Sequence, residues 1–157
     1  MKKTLFQALF VSSLLVLPAL TAAGEEFVGS VKTVEGEVSL QRGSEVTTVA
    51  PGVRIAVGDT LLAGDDGAVG VLFRDDSILT LGPGSSIVIE EFLFEPAEGK
   101  LGFLARITRG TVTYLSGLIT KLSPDSVRLV TPEATIGIRG TFLALQVDEQ
   151  GEIGSRP

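Results

Sequence analysis

The chain has 157 residues, with 13 basic and 19 acidic side chains for a net charge of −6, and it contains neither histidine nor cysteine. That composition excludes a Ser–His triad, a thiol nucleophile, the usual zinc ligands and any disulfide staple. Beyond the first few positions the basic residues stand singly, so no clustered cations are available to neutralise phosphates, and nucleic-acid binding is not expected.

Residues 1–23 read as a secretory signal peptide. Lys2 and Lys3 make a basic start, 4–17 is a mostly apolar run of about 14 residues, and Pro18 precedes the small residues Ala19, Ala22 and Ala23. Cleavage is expected after Ala23 or Gly24. The run is shorter than the roughly 20 residues that cross a bilayer, and no second long apolar stretch follows. The expectation is therefore a periplasmic or secreted chain with no membrane span once the leader is removed. Loss of the two leader lysines lowers the basic count from 13 to 11 and the net charge to −8. An acidic surface of that kind suits solubility or a basic partner protein. About 134 residues remain, enough for one core that buries roughly two-thirds of the unfolded chain's surface. One domain is expected over 24–147.

Glycine is abundant at 19 residues, and it punctuates short Val, Ile, Leu and Thr runs, which is all-β patterning. Strands are expected at 28–33, 37–41, 46–49, 54–56, 60–62, 68–73, 77–81, 86–94, 100–108, 111–115, 126–130 and 134–147, the last interrupted near Gly140. Turns are marked by Gly82-Pro83-Gly84, by 96–99 and by Ser123-Pro124-Asp125. The stretch 118–122 is read as a short helix, and 148–157 as a polar tail expected to be disordered. Several strands are apolar on both parities, as at Ile78-Leu79 and Ile87-Val88-Ile89, so a single sheet with one wet face would expose them. The expected architecture is a compact, solenoid-like β-roll or a two-layer β-sandwich.

Paired carboxylates are the remaining enzymatic option: Asp65-Asp66, Asp75-Asp76 and Glu90-Glu91, with Glu95 and Glu98 close by. Neighbours on a strand face opposite sides, so a sequence pair is seldom an acid–base pair in space. The Asp pairs read as turns in which Asp caps its own backbone and tolerates left-handed angles. Calcium held by Asp65 and Asp66, or by Asp75 and Asp76, is the competing reading, although no twelve-residue calcium loop occurs. No cofactor is expected.

One set of segments carries a family resemblance. Thr131 to Phe142 reads T-P-E-A-T-I-G-I-R-G-T-F. Upstream stand Val57-Gly58-Asp59-Thr60-Leu61 with Ala63-Gly64, the run from Phe73-Arg74-Asp75-Asp76-Ser77 to Gly82-Pro83-Gly84-Ser85, and Arg109-Gly110-Thr111-Val112. Together these resemble the FecR domain family over roughly residues 36–147. The resemblance implies a β-rich fold and a setting in the bacterial envelope. In FecR-like regulators such a domain is the periplasmic sensor part, relaying the state of an outer-membrane transporter to a sigma factor. Those regulators also carry a cytoplasmic segment and a membrane helix before the domain; here a cleavable leader stands in that place, so any signal is expected to pass through another membrane protein.

Two candidate contact sites emerge. Phe92, Phe94 and Phe103 flank the turn at 96–99, either as core or as an exposed apolar patch rimmed by Glu90, Glu91 and Glu95. Arg139 sits among Gly137, Gly140 and Thr141, either ion-paired to Asp59 or Asp76 or as an exposed anchor for a partner's carboxylate. The function expected is that of a non-catalytic interaction or sensory accessory in the envelope, its partner an envelope or membrane protein. The alternative is a glycan or cell-wall ligand module, disfavoured by the lack of tryptophan and a single tyrosine, Tyr114.

Overall fold

The computed structural model describes residues 26–148 and the backbone of 153–155. The expected leader lies outside the described residues. Along the chain run β1 (Phe27–Glu35), β2 (Val38–Arg42), β3 (Glu45–Thr48), β4 (Arg54–Ala56), β5 (Thr60–Ala63), β6 (Ala68–Phe73), β7 (Ile78–Leu81), β8 (Ser86–Glu95) and β9 (Lys100–Leu115). Then follow α1 (Leu118–Leu122), β10 (Val127–Val130), β11 (Thr135–Gly137), β12 (Phe142–Val147) and β13 (Ile153–Ser155). The protein is all-β, as expected, and its helix falls on the five residues anticipated.

The strands hydrogen-bond in the order β3-β2-β5-β8-β9-β7-β6-β1-β4. β12 and β10 also pair with β9, and they carry β13 and β11 in turn. Pairing is antiparallel except where β10 runs parallel to β9. The result is a largely antiparallel sheet curled into a half-barrel.

β9 is the hinge of this arrangement. Its first part pairs with β8, its last six residues with β12 and the last four of these also with β7. The sequence read two strands, 100–108 and 111–115, because the apolar parity switches between them: Phe103, Ala105 and Ile107 are buried before the bend, Val112 and Tyr114 after it. One strand carries both parities because the register shifts and Gly110 takes a left-handed φ of 89°. A Cβ there would lie 2.4 Å from the Ser85 Cα, so glycine alone fits the corner. The Ser85 hydroxyl donates to the Thr111 carbonyl at 2.9 Å and accepts from the Thr111 N–H at 2.9 Å, fastening the bend to the chain beside it.

A second register shift, between Ile89 and Glu91, moves the inward parity of β8 from Ile87 and Ile89 to Phe92. The core then closes on an aromatic cluster. Phe73 stacks on Phe92 at 5.5 Å, Phe103 meets Phe73 edge-on at 5.0 Å, and Phe103 stacks on Tyr114 at 5.5 Å. Around it pack Ile55, Leu61, Leu79, Leu81, Ile107 and Leu129, all buried. With no disulfide available, this packing supplies the stability.

Within the stretch 148–157, expected as a disordered polar tail, the three residues Ile153–Ser155 instead add to β12 with the register Leu145↔Ser155 to Val147↔Ile153; residues 149–152 and 156–157 lie outside the described residues. A strand of three residues is too short to register as periodicity.

Candidate functional site

The hairpin phenylalanines do not form a contact patch. Phe92 and Phe103 belong to the core, and Phe94 is half-buried against it. The patch reading fails because the register shift in β8 turns Phe92 inward, to the same face as Phe103, its partner across β9. What the hairpin exposes is charge: Lys100 pairs with Glu98 at 2.5 Å and with Glu95 at 3.3 Å, and Arg106 with Glu90 at 2.5 Å. The hydrogen bond to Glu98, aided by Glu95, raises the Lys100 pKa.

The carboxylates of the family-like segments hold the chain together. Asp59 is fully buried and takes a two-point contact from Arg42, with Nε to Oδ1 and Nη2 to Oδ2 each at 2.7 Å, plus the Ala56 N–H at 2.8 Å. Asp75, also fully buried, accepts from the Ser77 hydroxyl at 2.6 Å, the Ser77 N–H at 3.1 Å and the Ile119 N–H at 3.3 Å, so it ties the start of α1 to the β6–β7 turn. Gly117 leads into that helix because a Cβ would fall 2.3 Å from the Asp75 carbonyl oxygen. Asp76 adopts a left-handed φ of 64°, the turn geometry expected of it. Asp66 accepts from the Glu37 N–H at 3.3 Å. Among the described residues no group of three or more acidic side chains is close enough to hold a metal ion.

Tyr114, the one tyrosine, is buried and offers no stacking face. Burial is the main cause that lifts its pKa above the ordinary 10.0, with smaller opposing contributions from Ser77 and Thr120. Neither its hydroxyl nor that of Thr120 has a well-aligned hydrogen bond among the described residues.

Arg139 lies elsewhere than the sequence placed it. It pairs with neither Asp59 nor Asp76. It follows β11 in an open loop, and both its Nε and Nη2 donate to one oxygen of Asp125, at 3.1 and 2.7 Å. Both side chains are exposed, at 76% and 79%. The expected partner failed because Asp59 is already held by Arg42, seventeen residues upstream. The loop itself is fixed: the Ser116 N–H donates to the Thr141 carbonyl at 2.8 Å, and the Ser116 hydroxyl donates to the Gly140 carbonyl. Between this loop and α1 opens a concavity of about 480 Å³, lined by Ser116, Thr120, Lys121, Asp125, Arg139 and Thr141 among others.

Beside it runs a feature that the sequence reading missed. Ile78 pairs with Leu115 and Leu115 with Phe142, so three apolar side chains form one row across β7, β9 and β12. All three are exposed, Phe142 at 64%, and Leu118 and Leu122 on α1 are exposed nearby in the chain. The next row, Thr80, Thr113 and Ala144, is uncharged. The signal was present in the double-parity runs of β7 and β9, but it resolves into a row only once the register of β12 is known.

Against known protein families, curated proteins and solved structures, the chain has no match. Among the described residues no helix is long and apolar enough to cross a membrane.

Proposed function

We propose that this is a FecR-like envelope domain that works without catalysis, as a protein-interaction or sensory accessory, and that it meets its partner with the end of the sheet where β7, β9, β12 and the Arg139 loop converge. The observation that carries the reading is the row Ile78–Leu115–Phe142, an apolar strip left bare on a chain of net charge −6. Contiguous exposed apolar surface rimmed by polar groups is characteristic of contact sites. The family-like residues support a scaffold role, since Asp59, Asp75, Ser85 and Gly110 are engaged in holding turns and bends. The partner is an envelope or membrane protein, reached from the periplasmic or secreted side after removal of the leader. The glycan-binding alternative, which would use the hairpin or the Asp loops, is weaker, because the hairpin's Phe92 and Phe103 are buried and so is the lone tyrosine, Tyr114.

The test is photocrosslinking from position 142 in the native envelope. One specific protein captured by the parent, and lost when Leu115→Lys interrupts the row in a folded variant, supports the reading. Capture that is absent or unchanged by that substitution contradicts it.

A further inference from the structure

We propose that the concavity between α1 and the Arg139 loop binds a carboxylate carried on an apolar body. Arg139 and Lys121 act as its charge partners, and the wall of the concavity, which exposes more apolar than polar surface, receives the apolar part. The proposal builds on the interaction reading above and gives that surface a ligand chemistry.

Charge is the first argument. Lys121 and Arg139 come from separate segments and line the same concavity with a single carboxylate, Asp125, which leaves it locally positive on an acidic chain. Lys121 has no ion-pair partner among the described residues. A concavity of about 480 Å³ also falls within the roughly 300–1,000 Å³ of typical small-ligand sites.

The manner in which Arg139 is held is the second argument. Its Nε and Nη2 converge on one Asp125 oxygen, while Nη1 makes no hydrogen bond among the described residues. A guanidinium has five donors in a rigid fork, so a second carboxylate can be accepted without first undoing the Asp125 contact. An exposed pair of this kind holds its members weakly, so Arg139 is also free to turn toward a ligand.

Preorganisation is the third. The two hydrogen bonds from Ser116 to Gly140 and Thr141 fix the loop that carries Arg139 before any ligand arrives.

The test is an amide chemical-shift titration of the full protein with three probes: acetyl-Leu-Phe as the free acid, acetyl-Leu-Phe amide, and acetyl-Glu-Phe amide. Saturable shifts at Ser116, Gly140 and Thr141 are expected with at least one acid probe and not with the acetyl-Leu-Phe amide. Which acid binds distinguishes a chain-terminal from a side-chain carboxylate. Arg139→Gln is expected to weaken binding roughly tenfold and Lys121→Gln severalfold, as loss of a charge-assisted contact does, with the remaining spectrum unchanged. Absence of shifts with both acids, or equal binding of the neutral amide, overturns the proposal. Failure of partner capture at Phe142 with acid binding intact sinks the interaction reading alone, and capture without acid binding sinks the carboxylate site alone.

Discussion

Two arginine–aspartate pairs in this molecule share their chemistry and differ in their surroundings. Arg42 meets Asp59 through two parallel hydrogen bonds, and the carboxylate is 1% exposed and shared with a backbone N–H. Arg139 meets Asp125 through a single oxygen in open solvent. Burial makes the first pair indispensable, because either partner left alone is an uncompensated charge or an unfilled acceptor inside the fold. Exposure leaves the second pair nearly without structural weight and free to exchange its carboxylate. The same two residue types thus clamp the scaffold in one place and form an exposed, exchangeable pair in another, where we propose the contact surface.

Substitution should separate the two ends. Asp59→Ala is expected to cost about 3–5 kcal/mol in equilibrium denaturation, since it leaves the Arg42 guanidinium without its carboxylate and the Ala56 N–H without an acceptor. A cost near zero would mean that the buried pair is no clamp. Asp75→Ala removes the acceptor for Ser77 and for the start of α1, at about 2–3 kcal/mol. Hydrogen exchange should then quicken in α1 before it does in β9.

Tyr114→Phe deletes a buried hydroxyl that lacks an aligned partner, so its cost at neutral pH is within about 0.5 kcal/mol. Alkaline pH sharpens this result. The folded-state pKa of Tyr114 is raised by burial, so above the unfolded value of about 10 the unfolded chain releases a proton that the folded chain keeps, and stability falls as pH rises. The parent should lose stability over that window faster than the Phe variant; parallel curves would contradict the burial argument. The smallest effect belongs to Asp125→Ala. Stability should stay within about 0.5 kcal/mol, while carboxylate binding at Arg139 tightens severalfold as the neighbouring negative charge disappears.

Much of the fold was legible because its signals are local. Glycine, proline and aspartate at turns fixed most strand limits, and 118–122 was readable as a short helix ahead of the Ser123-Pro124-Asp125 turn. What escaped reading was register. The shift between Ile89 and Glu91 decides that Phe92 faces the core, and the bend at Gly110 joins two expected strands into one; neither leaves a mark beyond a change of parity. The candidate site was half legible for the same reason. Arg139 stands out among glycines, but its partner Asp125 lies across a loop, and the row Ile78–Leu115–Phe142 joins residues far apart in sequence through pairing alone. The acidic turns were read correctly as turns, whereas the claims of Arg42 on Asp59 and of Ile119 on Asp75 needed three dimensions.

The account rests on the Arg139 end being a contact surface and the Arg42 end being scaffold. Its most direct test is the crosslinking yield at position 142 in Arg139→Ala, read together with the variant's denaturation midpoint and set beside Arg42→Ala. The account predicts an unchanged midpoint with capture lost for Arg139→Ala, against a midpoint lowered by about 3 kcal/mol of stability for Arg42→Ala. A midpoint that falls as far in Arg139→Ala as in Arg42→Ala, with capture declining only in step with unfolding, would make Arg139 structural and contradict the account.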